Sequence, residues 1–414
     1  MGEANNKAHL PPALSEDAIR ALITSLRLPC PEAIEPVQVT AEFHSIYFVH
    51  FAGSCAEEIA EEKAAAVAAT AAAANEDGSV TLVLRVSGGH VPRRKTANEV
   101  AVMKWIREHS PSIPVPAVVR FDDSSDNAIG HEFTLLEKAR GTSVDRMYPT
   151  LDEEAKLRLV RQLTDVLVEM NRHEWHHVGG LRLNGDGDGD GDGVVPGPVL
   201  EDTFWFAPDI ADMWPEGESI DSLNPGGPYD SHSDFVRGYL GCFVHAIGVH
   251  SSLAWLRDLI PRLNGLMAKV PSLADSLDST RLVLAHKDLH FANVMATPEG
   301  RLTAILDWEF ATVVPALRWD PVRAFLWNGR YSDEASAEKE RLRGLFEREL
   351  EERGVPKWWG REEGGEEGTD VVETVWTVVR FVRALVEVCP RGQRADKVEE
   401  WKRAVEEALA KLGV

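Results

Sequence analysis

The segment from His286 to Trp308, HKDLHFANVMATPEGRLTAILDW, constrains the fold of this chain more than any other stretch. The apolar run at 282–284 in front of it suits a buried strand, and the polar residues that follow suit a loop. Two further short strands are predicted at 294–295 and 301–306, because turn-forming residues occupy 297–300 between them. The sequence therefore predicts a strand, a polar loop and a β-hairpin in succession.

Three oxygen-bearing side chains stand at the ends of this predicted hairpin. Asp288 lies just before it, Asn293 lies near its start, and Asp307 ends its second strand. Because a hairpin brings its two ends together, we expect these side chains to converge. Mg²⁺ prefers hard oxygen ligands that it shares with substrate phosphates. Phosphoryl transfer from ATP needs such ligands beside a carboxylate at the acceptor hydroxyl, so the spacing indicates that chemistry.

The motif HKDLHFAN followed by ILDWE resembles the catalytic and metal-binding motifs of the aminoglycoside phosphotransferase and choline kinase family. The resemblance implies an α+β, two-lobed, protein-kinase-like fold, with a small antiparallel sheet lobe that carries a helix and a larger, mostly helical lobe. It implies that Asp288 is the catalytic aspartate and that Asn293 and Asp307 bind Mg²⁺. It also implies that His286 supports the catalytic loop, and His290 matches a second histidine of the family.

Three upstream segments resemble the nucleotide site of the same family. TLVLRVS resembles the strand that carries a cation to the ATP phosphates, and Arg85 occupies that place. ANEVAVMKWI resembles the helix whose glutamate pairs with this cation, and Glu99 matches. EFTLLEKARG resembles the strand that leads to the connection between the lobes. Backbone groups from Glu137 to Ala139 are therefore expected to bind adenine.

The chain departs from the protein-kinase pattern at two places. Arg85 stands where protein kinases carry lysine, and a planar guanidinium fork is not equivalent to a point charge. Choline-kinase-like members of the family often carry arginine there, so activity is still expected. TAEFHSIYFV stands where a glycine-rich loop covers the phosphates, yet it contains no glycine to let backbone N–H groups approach closely. Either Ser45 and nearby amides bind the phosphates, or the loop binds ATP weakly.

Helical patterning and caps predict where the main helices lie. Ser15 suits the N-cap of a helix that ends near residue 26, with acidic residues in its first turn. Further helices are predicted at 96–109, 152–171, 234–250, 252–266, 320–326, 332–353, 371–388 and 395–412. The apolar helix at 371–388 carries four charged residues, so we expect it in the core and not in a membrane.

The order of elements divides the chain into three parts. Residues 1–35 are predicted to form an N-terminal helical extension, residues 36–139 the small nucleotide-binding lobe, and residues 140–414 the large helical lobe. An Ala-rich insertion at about 52–78 has high helix propensity but few large apolar groups, so it is predicted to be a mobile helical excursion. The Gly-Asp repeat at 184–193 is predicted to be a hairpin tip, with a calcium loop as the alternative.

Composition limits the partners. The net charge of -23 argues against nucleic acid or an anionic membrane as the main partner. It is compatible with a small hydroxylated acceptor that carries positive charge. The aromatic and acidic residues at 203–239 either line a pocket for such an acceptor or pack helices. Four distant cysteines without a CxxC pair, and an N-terminus without an apolar core, indicate a cytoplasmic protein.

Three alternative functions remain open at this level. On an extended strand, His286, Asp288 and His290 would share one face and form an iron site of the oxygenase type. The glycine-free loop also fits a pseudokinase that binds or scaffolds without transferring phosphate. A protein kinase is the third alternative, but no activation segment follows DWE. The motif does not select the acceptor among the hydroxylated small molecules that the family uses.

Overall fold

The computed structural model of the chain describes residues 9–37, 43–55, 78–184, 193–322, 332–359 and 371–414. Several predicted features lie wholly or largely outside these residues. They are the first residues of the segment TAEFHSIYFV, at 40–42, the Ala-rich insertion at 56–77, the tip of the Gly-Asp repeat at 185–192, and most of the helix predicted at 320–326. Every statement below on structure concerns the described residues.

A five-stranded antiparallel sheet forms the small lobe, with strand order β1-β2-β3-β5-β4. The strands are β1 (Ala33–Pro36), β2 (His44–Phe51), β3 (Val80–Ser87), β4 (Val118–Asp122) and β5 (Phe133–Glu137). Alternating residues of β2 point to opposite faces, and Tyr47, Val49 and Phe51 are buried on one of them. The sheet therefore has one face packed on a core of its own.

Helix α1 (Glu16–Ser25) covers that apolar face. It begins as predicted, because the hydroxyl of Ser15 accepts a hydrogen bond of 3.2 Å from the N–H of Ala18. Ile19, Leu22 and Ile23 then pack in the same core as the strands. The residues predicted as an N-terminal extension therefore share one core with the small lobe, and β1 also lies within them.

Helix α2 (Arg94–His109) connects β3 to β4, but its apolar side packs on the large lobe. Val102, Met103 and Ile106 are buried in the same core as Leu284 and other residues of the catalytic region. Its opposite side carries polar residues toward the sheet and the cleft. This position lets one helix contribute side chains to the boundary between the lobes.

The large lobe consists mainly of helices with short strands between them. The helices are α3 (Val144–Met147), α4 (Glu153–Met170), α5 (Ala207–Met213), α6 (Ile220–Leu223), α7 (His232–Val249), α8 (Ile260–Lys269), α9 (Ala274–Asp278), α10 (Asp333–Glu352), α11 (Val371–Val388) and α12 (Val398–Lys411). The strands are β6 (Thr142–Ser143), β7 (Leu181–Leu183), β8 (Val194–Pro196), β9 (Leu282–Ala285), β10 (Val294–Ala296), β11 (Leu302–Ile305) and β12 (Thr312–Pro315).

Helix α11 occupies the predicted residues and buries an apolar face that includes Val375, Trp376 and Val382. Among the described residues, no helix combines the length and the apolar character needed to cross a membrane. Strands β7 and β8 pair antiparallel on either side of the Gly-Asp repeat, as expected for a hairpin. The predicted α+β, two-lobed, kinase-like class is confirmed.

Strands β9 to β12 surround the segment from His286 to Trp308. The predicted hairpin is confirmed, since β10 pairs antiparallel with β11. A pairing that the sequence did not predict joins β12 to β9, with Val313 opposite Leu284. The chain therefore returns beside the strand that precedes the motif, and it encloses the segments that carry Asp288 and Asp307 between paired strands.

Candidate active site

Asp288 and Asn293 lie on one short loop and are hydrogen-bonded to each other. The amide nitrogen of Asn293 donates to the backbone oxygen of Asp288 at 2.9 Å and to its carboxylate Oδ2 at 3.2 Å. Because both donors of an amide are on its nitrogen, the oxygen of Asn293 stays available as a ligand. The side chain of Asp288 is more than half exposed, so its carboxylate is accessible from the cleft.

Two histidines fix this loop in different ways. His286 is buried against Trp308, and its Nε2–H donates to the carbonyl of Leu306 at 2.8 Å. Burial lowers the pKa of His286, although the bond to Leu306 acts in the other direction. His290 uses Nδ1 to accept the N–H of Ala292 at 3.2 Å. Because His286 faces the core, it does not share a face with Asp288 and His290 as the iron-site alternative requires.

Arg85 joins two carboxylates from different parts of the chain. Its Nη1 bonds the carboxylate of Glu99 on α2, and its Nη2 donates to Oδ1 of Asp307 at 2.8 Å. The side chains of Arg85 and Glu99 are 11% and 2% exposed. Burial alone would lower the pKa of Arg85, but the Glu99 and Asp307 carboxylates raise it above its ordinary value. The Arg85 guanidinium therefore stays charged while it contacts both carboxylates.

Asp307 follows β11 in a strained backbone conformation. Its φ of 65° lies in the left-handed region, which residues other than glycine seldom adopt. Such strain is typical of functional positions held by their surroundings. Burial raises the pKa of its carboxyl group, but the nearby cations Arg85 and Lys95 lower it by more. The net shift of the Asp307 pKa is therefore downward. Asp307 is therefore an anion directed at the cation of β3.

A second ion pair, which the sequence analysis missed, lies behind the first. Lys95 Nζ on α2 is 2.5 Å from Oε2 of Glu309, and the Lys95 side chain is only 1% exposed. His44 stands between the two pairs, with Nε2 2.7 Å from Lys95 Nζ and Nδ1 3.4 Å from Arg85 Nη2. Burial lowers the pKa of His44, and both cations add to this effect. The available sequence signal was that Lys95 and Glu99 are one helical turn apart, which places both side chains on the same face of α2.

Asn98 is a further contact that the sequence did not reveal. Its oxygen accepts the N–H of Leu181 at 2.8 Å, and its nitrogen donates to the carbonyls of Glu309 and Ala311 at 3.0 and 2.9 Å. Asn98 is buried, so these three bonds satisfy groups that water does not reach. Two of them hold α2 on the segment after Asp307, and the third holds it on β7.

The remaining predicted nucleotide-site residues lie in two places. In the pairing of β2 with β3, Ser45 lies opposite Val86, and Ile46 lies opposite Arg85. Because neighbouring residues of a strand point to opposite faces, Ser45 points to the face of the sheet opposite that of Arg85. Its hydroxyl donates to the carbonyl of Pro11 at 3.4 Å. The structure therefore does not bring Ser45 together with Arg85, and His44 occupies the cleft face of this strand.

Glu137 ends β5 and Ala139 follows it, so both lie at the connection between the lobes, as expected. Both line a cavity of about 300 Å³, together with Val115, Pro116, Arg140, Thr303 and Ala304. The carboxylate of Glu137 accepts the N–H of Ala117 at 3.2 Å. Burial raises the pKa of Glu137, and this hydrogen bond opposes the shift.

The aromatic residues predicted either to line a pocket or to pack helices mostly do the latter. Phe204, Trp205, Phe206 and Trp214 are buried in the core of the large lobe. One acidic residue just before this region lies near the loop that carries Asp288. Asp202 is exposed and within electrostatic range of the Asp288 carboxylate.

Comparison with known proteins gives a family and more distant relatives. The model of the phosphotransferase enzyme family matches residues 64–358. The clavilactone A biosynthesis cluster protein Y of Ampulloclitocybe clavipes is 27% identical over 236 residues, which cover 54% of this chain and 51% of that protein. A subtelomeric hrmA-associated cluster protein of Aspergillus fumigatus is 21% identical over 263 residues, 53% of this chain and 50% of its own. The chain thus spans about half the length of these relatives.

Solved structures of aminoglycoside phosphotransferases are also similar. APH(4)-Ia is 14% identical, with 96% of this chain and 99% of that chain covered and a TM-score of 0.43. The complex of APH(2″)-IIa with gentamicin is 12% identical, with 95% and 96% covered and a TM-score of 0.45. The family match spans both lobes and the whole catalytic motif, which confirms the resemblance carried by HKDLHFAN and ILDWE. The chain belongs to the phosphotransferase enzyme family.

Proposed function

We propose that the protein transfers the γ-phosphate of ATP to a hydroxyl group of a small molecule, with Mg²⁺ as the metal. The observation that carries this proposal is the pairing of Arg85 with both Glu99 and Asp307, beside a loop on which Asn293 orients Asp288. This set supplies a cation for the phosphates, oxygen ligands and an accessible carboxylate. Phosphoryl transfer relies on these groups because positioning and charge stabilisation account for most of its catalysis.

The nucleotide side is formed by small-lobe and α2 residues. We propose that the base lies near Glu137 and Ala139, and that the triphosphate extends toward Arg85. Ser45 is not included, because its hydroxyl faces away from Arg85. Asn293 has a free amide oxygen and Asp307 a carboxylate, which suit a metal that keeps waters and shares phosphate oxygens. When bound, Mg²⁺ neutralises charge that develops on the transferred phosphate.

The acceptor side centres on Asp288. Its carboxylate accepts a hydrogen bond from the acceptor hydroxyl and takes the proton as the new bond from that oxygen to phosphorus forms. The bond between phosphorus and the bridging oxygen breaks, and ADP leaves. The exposed Asp202 beside it favours an acceptor with positive charge. The name of one relative, a biosynthesis cluster protein, supports a small-molecule acceptor over a protein.

The proposal is tested by measuring ADP release from Mg·ATP with a panel of small hydroxylated compounds. Loss of the carboxylate in Asp288→Ala should reduce transfer by roughly 10²- to 10⁴-fold, the range for a positioned acid or base. Calorimetry should show that ATP binding in this variant is largely unchanged. Full transfer by Asp288→Ala would contradict the assignment. A wild-type protein that millimolar Mg·ATP fails to stabilise against heat would favour a scaffold without catalysis.

A further inference from the structure

The residue before Asp288 occupies a strained turn. The N–H of Asp288 donates to the carbonyl of His286 at 2.9 Å, which closes a three-residue turn with Lys287 at its centre. The φ of Lys287 is 66°, so the turn has the rare left-handed form. Glycine adopts this conformation without steric conflict. A lysine in this conformation therefore suggests that its side chain has a specific role.

That side chain reaches a separate segment of the large lobe. Lys287 Nζ donates to the carbonyl of Leu200 at 2.9 Å and lies 3.6 Å from Oε1 of Glu201. The Lys287 and Glu201 side chains are 19% and 9% exposed. A charge this far from water is tolerated when it is paired and hydrogen-bonded. The contact thus connects the catalytic loop to the segment that follows β8.

Glu201 is itself held from a second direction. Nη2 of Arg318, which follows β12, lies 3.9 Å from the same Oε1. The guanidinium of Arg318 stacks on Trp376 of α11, with 4.2 Å between its central carbon and the ring centroid. Glu201 is therefore an anion between a cation of the catalytic loop and a cation fixed on the helical core. This arrangement gives the loop a firm attachment point.

The attached segment borders the catalytic carboxylate. Asp202 follows Glu201 directly, is exposed, and lies within electrostatic range of Asp288 and of Arg383 on α11. These groups all belong to the large lobe, whereas Asp307 is paired with Arg85 of the small lobe. Asp288 thus interacts electrostatically with the segment 200–202, and Lys287 beside it in the sequence contacts that segment directly.

We propose that Lys287 is a positioning residue that fixes the Asp288 carboxylate relative to the segment 200–202, which forms one wall of the acceptor site. The inference rests on the proposed phosphotransferase function. A lysine in this strained turn is accounted for by its side chain, which spans the gap to Leu200 and Glu201. Lys287 acts through Asp288 and does not itself contact the reacting atoms.

Three substitutions separate positioning from stability. Lys287→Gly removes the contacts and also the backbone strain, Lys287→Met removes the charge and the hydrogen bond but keeps the strained turn, and Lys287→Arg keeps a cation and donor. The control is Lys156→Met, because Lys156 pairs with Glu338 at 2.6 Å and is similarly buried, at 16% exposed. Hydrolysis of Mg·ATP by water serves as the turnover probe. We expect Lys287→Gly and Lys287→Met to lower kcat by up to roughly 10²-fold, as misplacement of a reacting group does.

The dissociation constant of Mg·ATP should stay unchanged in all four variants. The melting temperature should fall less in Lys287→Gly than in Lys287→Met, because glycine relieves the strained turn, although both should lose turnover equally. Lys287→Arg should recover most of the turnover. A purely structural role predicts instead that turnover follows stability across the variants, so that Lys287→Gly is more active than Lys287→Met. Wild-type turnover in both Lys287→Gly and Lys287→Met would overturn the proposal.

A second measurement needs neither acceptor nor catalysis. Hydrogen–deuterium exchange of peptides that cover 199–206 and 282–292 reports whether the two segments are coupled. Lys287→Met should raise exchange in both peptides, whereas Lys156→Met should raise it in neither. Equal exchange in Lys287→Met and wild type would overturn the coupling. A wild-type protein without Mg·ATP binding would refute the proposed function, yet the exchange result would still decide whether Lys287 links the segments.

Discussion

Arg85 and Asp307, which are 222 positions apart in the sequence, are held together by a hydrogen bond of 2.8 Å. The same guanidinium bonds Glu99 through its other terminal nitrogen. The carboxylate proposed as a metal ligand is therefore already oriented by the cation proposed to bind phosphate. A planar fork satisfies both carboxylates at once, which a single ammonium group does less well.

Arg85→Lys should therefore weaken the nucleotide site although it conserves the charge. One charge-assisted hydrogen bond contributes about 1.5–3 kcal/mol, so kcat/KM for ATP should fall roughly tenfold or more. Steady-state kinetics with varied ATP would measure the change. Arg353→Lys is the matched control, because Arg353 also bonds two carboxylates, those of Asp165 and Glu349, at an exposed site. An equal loss in both variants would contradict a specific role for the fork.

Asp307→Asn should selectively remove the metal dependence of nucleotide binding. The substitution keeps the size of the side chain but replaces a charged oxygen ligand with a weaker neutral one. Calorimetric titrations of ATP with and without Mg²⁺ should differ in the wild type and nearly coincide in the variant. Asp202→Asn serves as the control, since it also removes a carboxylate near Asp288. Undiminished Mg²⁺ dependence in Asp307→Asn would exclude Asp307 as a ligand.

Lys95→Met should destabilise the protein through the group that it leaves behind. Glu309 is buried and would lose its ion pair of 2.5 Å. Removal of one partner of such a pair typically costs about 3–5 kcal/mol. Urea unfolding would measure the loss, and the double variant Lys95→Met/Glu309→Gln should be more stable than the single one. If the single variant is as stable as the wild type, the pair has no structural role.

The large lobe should lose stability below neutral pH because of His232. Nδ1–H of His232 donates to Leu277 at 2.8 Å, and its Nε2 accepts the indole N–H of Trp376 at 2.8 Å, so both nitrogens are satisfied in the neutral ring. Burial lowers the pKa of His232 from 6.5 to about 4. Between these values the unfolded chain binds a proton that the folded chain does not. Stability should therefore fall by about 1.4 kcal/mol per pH unit across this window, roughly 3 kcal/mol in all.

The control for this pH effect is His232→Asn, which cannot titrate. Denaturant unfolding from pH 7 to pH 4 should give a shallower loss of stability in the variant, and the difference between the two curves isolates His232. Parallel curves would show that His232 does not contribute.

Local features of the fold were predictable because they depend on neighbouring residues. The hairpin around 294–305 follows from two apolar runs and a turn, and the cap at Ser15 follows from one side chain beside the first turn of a helix. The family also followed from motifs that are short and continuous. Helix α11 matched its predicted residues because its apolar face is long.

Other features depend on contacts between distant segments. Nothing near Lys95 in the sequence indicates that its partner is Glu309, 214 positions away. The face on which Ser45 lies depends on the register between β2 and β3, and a shift of one residue would reverse it. The aromatic residues at 204–214 have the same composition whether they line a pocket or pack in a core, and only the tertiary structure distinguishes the two.

The three hydrogen bonds of Asn98 have a mechanical consequence. They bind α2 to the segment after Asp307 and to β7, and the helix packs its apolar side on the large lobe. Glu99 is therefore attached to the large lobe, although α2 lies between β3 and β4 in the sequence. Arg85 of the sheet bonds both Glu99 and Asp307. An opening motion that separates the sheet from the large lobe would therefore have to break both contacts.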